Sequence, residues 1–181
     1  MRSANKKIFL LTSFLVLLSS PLLSLEVSKE VQFTIAHPLK TVTGNCNTIE
    51  ILDFVPKRQG EIYSAGPFRV IIPLNGMTTG NRNRDSNMLE ILGFPAVKEI
   101  VARVNPIDAR IGKNKMSGTL LINGHEKPFS SDFELSESKE TTATGTIHIQ
   151  LHDFGIEAPK LLLLTVQDDV IVSFKVSVTF Q

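Results

Sequence analysis

Residues 170–180 alternate with a period of two: Val170, Val172, Phe174, Val176, Val178 and Phe180 fall on one side, and Ser173, Lys175, Ser177 and Thr179 on the other. Side chains of a strand point to opposite faces in turn, so this pattern describes a strand with one apolar and one wet face. At roughly 3.4 Å per residue, about 11 residues also make a tall wall. A chain that ends this way must place the apolar face of its last strand against other apolar surface.

The same period recurs upstream. Val31, Phe33 and Ile35 alternate with Gln32, Thr34 and Ala36, and Phe68, Val70, Ile72 and Leu74 share one face of a segment ending at the turn Asn75-Gly76. Ile100, Ala102 and Val104 line up within 98–104, and Ile147, Ile149 and Leu151 alternate with Thr146, His148 and Gln150. A further strand is expected near Leu162–Val166. The run Met116–Ile122, with Leu120 and Ile122, enters "NGHEKP", after which Phe129, Phe133 and Leu135 alternate with Ser130, Asp132 and Glu134. Asn-Gly between two alternating runs signals a hairpin. No helix-length amphipathic segment stands out. About eight strands joined by short turns, each with one wet face, imply an antiparallel sheet, either a sandwich or a closed barrel. Eleven phenylalanines beside one tyrosine and no tryptophan give a large apolar interior, which favours the barrel. An eight-stranded barrel can be filled by side chains or hold one small ligand.

Arg2, Lys6 and Lys7 precede an apolar run from Ile8 to Leu18 and then Ser19, Ser20 and Pro21. A basic start, a short apolar stretch and a small-residue exit form a secretory signal peptide, expected to span 1–24, and the run is too short for a membrane span of roughly 20 residues. The remaining 25–181 is expected to be one domain, periplasmic or secreted. The leader removes three positive and no negative charges from 19 Lys+Arg and 18 Asp+Glu, leaving a formal net charge of −2. Such balance gives no electrostatic footprint for nucleic acid. The one cysteine, Cys46, has no partner within the chain, so packing must carry stability and Cys46 is expected to be a small, partly buried apolar residue. The oligomeric state is left open, with a homodimer among the options.

Little chemistry is assembled by these residues. No serine lies in a Gly-x-Ser-x-Gly elbow, and Cys46 with His37 is the sole nucleophile–base pairing worth testing. His148 and His152 are four apart, about 13 Å on a strand, too far to share a zinc ion at ~2.1 Å each. His148 reads as a solvated strand residue, His152 as a turn entry, His125 as part of the Asn-Gly turn, and Asp168-Asp169 as a solvated turn. No glycine-rich phosphate loop is present. No catalytic residue, metal ligand or cofactor site is expected.

The stretch "TTGNRNRDSNMLEIL" (78–92) is polar, then abruptly apolar. Gly80 supplies a turn, and Asn87 followed three residues later by Glu90 fits a capping box with Asn87 as N-cap. A helix of one to two turns then puts Met88, Ile91 and Leu92 on one face, covering a barrel end.

Several short motifs, in order, resemble the YceI-like family of exported bacterial lipid-binding proteins. They are Thr79-Gly80-Asn81 with Arg84-Asp85; Gly118-Thr119-Leu120-Leu121-Ile122-Asn123-Gly124 running into Lys127-Pro128; Asp153-Phe154-Gly155-Ile156; and the alternating terminal strand. "AHPLKTVTGNC", with His37-Pro38 and Gly44, resembles the family's first hairpin. Two positions depart from the family's pattern: Leu151 and Asn87 stand where basic residues are frequent. The resemblance implies a single elongated, eight-stranded antiparallel barrel of lipocalin-like shape, with a short helix after the TGNxxRD-type loop. It also implies a non-enzymatic function, carriage of a long apolar lipid such as a polyisoprenoid or isoprenoid quinone. Expected lining residues are Phe33, Ile35, Val70, Ile72, Ile100, Leu120, Ile122, Phe133, Leu135, Phe174 and Val176. Met88, Ile91 and Leu92 would close one end, and Arg82 or Arg84 would meet a head group. The rival reading is a structural or interaction protein of the envelope whose barrel is filled by side chains.

Overall fold

The computed structural model describes residues 26–36, 40–158, 160–161, 164–165 and 167–180. The expected leader, His37 and most of the segment 162–166 lie outside the described residues. The strands are β1 (Glu26–Ile35), β2 (Val42–Cys46), β3 (Glu50–Leu52), β4 (Pro56–Gln59), β5 (Ile62–Ala65), β6 (Phe68–Pro73) and β7 (Met77–Thr78). After the helix α1 (Arg82–Ile91) come β8 (Glu99–Val104), β9 (Ile107–Ala109), β10 (Gly112–Ile122), β11 (His125–Glu137) and β12 (Thr141–Gln150). The short β13 (Lys160–Leu161) and β14 (Leu164–Thr165) pair with each other, and β15 (Asp169–Thr179) ends the fold.

Ten of these strands form one antiparallel sheet in the order β3-β6-β8-β10-β11-β12-β15-β1-β2-β7, curled as a half-barrel. The alternating segments are its strands, so the all-β expectation holds. The strand count differs from eight because chain runs bend: β2 and β3 are separated only by Asn47–Ile49, and β6 and β7 only by the turn Leu74–Gly76. Asn75-Gly76 therefore kinks a continuing run rather than reversing it. Asn123-Gly124 does reverse the chain. Both residues have positive φ, 48° and 77°, which matches the tight two-residue hairpin turn favoured by right-twisted strands. Ile122 then pairs with His125, the first residue of β11, so His125 belongs to the strand and not to the turn.

β15 is held on both sides, by β12 from Gln150↔Asp169 to Thr141↔Val178 and by β1 from Ile35↔Val170 to Glu26↔Thr179. One end of the curl is packed with Tyr63, Ala109, Phe133 and Leu135, over which the small sheet β4-β5-β9 folds. At the other end Leu120, Ile122, Phe154 and Ile156 form a second buried cluster, with Ile91 and Leu92 of α1 packed on it.

The register gives several phenylalanines a particular seat. Phe33 faces Gly44, Phe129 faces Gly118 and Phe174 faces Gly145 on neighbouring strands. A Cβ at these glycines would stand 2.2 Å from Phe33 Cζ, 2.8 Å from Phe129 Cε1 and 2.6 Å from Phe174 Cζ. The rings thus occupy the space over the glycines, lying on the wall rather than projecting from it. At Gly118 the added methyl would also meet the Arg103 carbonyl oxygen at 2.0 Å, closer than the 2.8 Å to the Asp132 carbonyl oxygen at Gly145, and backbone cannot swing aside as a ring can. Gly118→Ala is therefore expected to lower stability by about 1–3 kcal/mol, the usual cost of overpacking, and by more than Gly145→Ala. Denaturant midpoints of the two variants against wild type check the order.

Candidate functional site: an apolar interior with one polar mouth

The inward side chains do not fill the curl. A cavity of about 210 Å³ lies toward the end packed by Tyr63, and one of about 310 Å³ lies beneath α1 and the corner Leu151–Phe154. Phe33, Met77, Ile100, Ile122, Ile149 and Val172 line both, so the two adjoin as neighbouring stretches of the apolar interior. The larger stretch falls at the lower end of the roughly 300–1,000 Å³ usual for small-molecule sites.

Most of the expected lining residues meet here. Phe33, Ile100 and Ile122 border both stretches; Val70, Ile72, Leu120, Phe133, Phe174 and Val176 border the first; Ile35 borders the second. Leu135 is placed elsewhere, in the cluster around Tyr63 and beside a smaller hollow of about 90 Å³. Cys46 is buried on the wall of the first stretch, its Sγ donating to the Thr48 carbonyl at 2.9 Å. Met77 and Val172 were not anticipated as lining. Val172 follows from the terminal alternation, whereas Met77 sits inward only because the run bends at Leu74–Gly76.

The second stretch lies beside α1, where Lys40, Thr79, Arg84 and Asn87 join Met88, Ile91 and Leu92 on its lining. The helix differs from expectation. It starts at Arg82 and runs ten residues, with Asn81 as N-cap, its Oδ1 accepting from Arg84 N at 3.1 Å. Asn87 is inside the helix. The motif Asn87-x-x-Glu90 had the spacing of a capping box, but Asn81 is the residue with extended backbone at the boundary, as an N-cap requires.

Asp85 ties this helix to the wall. It accepts from Thr78 Oγ1 at 2.8 Å, from Thr79 N at 2.7 Å and from Thr79 Oγ1 at 2.5 Å. The hydrogen bond from the Thr79 hydroxyl is the main cause holding its carboxyl below the ordinary range, aided by the Thr79 amide, the Thr78 hydroxyl and the Arg84 charge, against desolvation. Arg84 completes the lock, Nε donating to Thr79 Oγ1 at 3.3 Å and Nη2 to the Thr79 carbonyl at 3.2 Å. Arg82, in the first turn, is not among the cavity-lining residues.

The corner Leu151–Phe154 also borders the second stretch, through Leu151 and Phe154, together with Ile156. It is pinned by Asp168, which accepts from His152 N at 3.0 Å and pairs with His152 Nδ1. Asp169 pairs with His148 Nδ1 at 3.1 Å and accepts from Gln150 Nε2 at 3.0 Å. The two aspartates are thus engaged rather than merely solvated. Among the described residues no group of three or more His, Cys, Asp or Glu is placed to hold a metal ion, and no helix is long and apolar enough to cross a membrane.

A family model for the YceI-like domain matches residues 26–178. The chain belongs to that family. No curated protein sequence matches it. Solved structures share the fold. Burkholderia cenocepacia BcnA is 13% identical with a TM-score of 0.66, covering 84% of this chain and 96% of its own. A polyisoprenoid binding domain from Saccharophagus degradans, implicated in plant cell wall breakdown, is 15% identical with a TM-score of 0.62, covering 84% and 94%. The Campylobacter jejuni YceI protein is 19% identical with a TM-score of 0.60, covering 77% and 85%. This YceI-like chain therefore has an all-β fold, mostly strands with one short helix, in common with these proteins.

The corner gives a pH prediction. The hydrogen bond with Asp168 raises the His152 pKa above its usual value, helped by the charges of Asp168 and Asp153 and opposed by desolvation and Lys127. A pKa raised on folding means that the stabilisation is full below the unfolded value of about 6.5 and is lost as pH rises through the folded value. The difference in thermal midpoint between wild type and His152→Gln is expected to be largest near pH 5.5 and to shrink as pH rises. A midpoint series across that interval measures it.

Proposed function

We propose that this YceI-like chain binds and carries a long apolar lipid, an isoprenoid chain, along its interior and catalyses no reaction on it. The observation that carries this reading is the pair of apolar cavities sharing six lining residues. An insoluble chain moved from water into such a volume gains about 25 cal/mol per Å² of apolar area buried, before ordering costs are subtracted. The Saccharophagus degradans domain, whose fold is shared, is a polyisoprenoid binding domain, which supports the choice of ligand class.

In this reading the wall closes. The pairs Leu52↔Arg69 to Glu50↔Ile71 and Cys46↔Met77 with Asn45↔Thr78 join the same two bent runs, 42–52 and 68–78. Counting each bent run once gives a ring of eight, the barrel that the family resemblance implies. Met88, Ile91 and Leu92 cover its open end, and Arg84 is the head-group contact in preference to Arg82. Residues 1–24 act as the export signal, which would deliver the remainder to the periplasm or the medium.

Extraction of the purified mature chain with organic solvent, followed by mass spectrometry, is expected to release an isoprenoid lipid. Repeated empty preparations that also take up no polyprenol or quinone would sink the proposal. A second measurement separates a hollow interior from a filled one. Ala102 borders the first stretch, so the added bulk of Ala102→Leu enters open volume. It should cost well under the roughly 1–3 kcal/mol of an overpacked core while weakening uptake of geranylgeraniol. The full overpacking cost with no change in uptake would favour the side-chain-filled barrel.

A further inference from the structure

The six residues that line both cavities come from six different strands: Phe33 of β1, Met77 of β7, Ile100 of β8, Ile122 of β10, Ile149 of β12 and Val172 of β15. They form a collar in the wall where the two stretches adjoin. Phe33 is its one aromatic member. It pairs with Val172 on one side and with Gly44 of β2 on the other. A Cβ at Gly44 would stand 2.2 Å from Cζ and 2.8 Å from Cε1 of the Phe33 ring, and 2.7 Å from the Thr78 carbonyl oxygen. The space a side chain at 44 would take is thus filled by Phe33, which keeps its ring against the wall. With a larger residue at 44 that seat is closed, and the interior is the space left to the ring.

We infer that this collar gauges how long a chain the interior accepts, with Phe33 as the specificity-determining residue and Gly44 as the residue that positions it. The inference rests on the interior being a lipid site and adds what decides how much of a chain is taken in. A short prenol fits within one stretch and has no need to cross the collar. A longer one buries its remaining units only by passing the Phe33 ring. Each isoprene unit that passes removes apolar area from water and should tighten binding by at least about tenfold. All six collar residues are apolar, so passage breaks no hydrogen bond there and width alone decides it. A flat ring suits this role. It shows the interior either its thickness or its breadth, so a small change in its seat makes a large change in bore.

The test compares geraniol, of two isoprene units, with geranylgeraniol, of four, by displacement of a fluorescent apolar dye from the mature chain and its variants. The wild type is expected to bind the longer alcohol at least about a hundredfold more tightly. Gly44→Ala should bring that ratio within about tenfold, and adding Phe33→Leu, which clears room for the methyl, should restore it. A substitution that only weakened the fold would lower both affinities together and would not be repaired by removing a ring. Val172→Phe narrows the collar from β15 without crowding the Thr78 backbone; it should lower the ratio too, and it decides alone if Gly44→Ala does not fold. A wild-type ratio near one, or a ratio unchanged in Gly44→Ala or in Val172→Phe, overturns the gauge and leaves the lipid site standing. A fall in Gly44→Ala that Phe33→Leu does not reverse overturns the role of Phe33. Failure of the wild type to take up either alcohol overturns the lipid site itself.

Discussion

The pairing of β15 with β12 on one side and β1 on the other holds the rest of the structure in place. Ten residue pairs on each side satisfy the backbone of the last strand along nearly its whole length. They also fix which of its side chains point inward. A register slip of one residue on either side would turn Val172, Phe174 and Val176 outward and bring Ser173 and Lys175 into the interior. With β15 set, β1 places Phe33 and β12 places Ile147 and Ile149, and the apolar faces meet across a volume they do not fill.

That volume stays open partly through glycine. A chain with eleven phenylalanines has ample bulk to plug its own centre. Phe33, Phe129 and Phe174 instead lie over Gly44, Gly118 and Gly145 of adjacent strands, so their rings thicken the wall. The same pairing shields the glycine backbone and offsets part of the weakness of glycine in a strand. At the α1 end, closure depends on two small polar locks, Asp85 with Thr78 and Thr79, and Asp168 with His152. The first pins α1 and the second the corner Leu151–Phe154, and apolar residues of both line the second stretch.

The strands were legible because period-two alternation is a direct image of a wall with one wet face. The terminal run 170–180, the run 100–104 and the Asn123-Gly124 hairpin could be placed from the residues alone. The helix was harder to read because Arg82 to Asn87 is polar throughout and only Met88, Ile91 and Leu92 show a face. The spacing of Asn87 and Glu90 imitated a start that the backbone makes at Asn81. The bends at Asn47–Ile49 and Leu74–Gly76 interrupt alternation without a distinctive local signal. The glycine–phenylalanine pairs were hidden because they depend on which residues face one another across strands. Alternation reports that a side chain points inward; it carries no information on whether the interior is full, which depends on ring orientation and register together.

The central claim is that the two stretches act as one site for one chain. Methyl-resolved NMR during titration with geranylgeraniol tests it directly, following Ile122 and Ile149 where the stretches join, Leu120 in the first and Leu92 in the second. The account predicts that all four shift together and saturate at one lipid per protein. Shifts confined to surface methyls, or separate saturation of the two stretches, would contradict it.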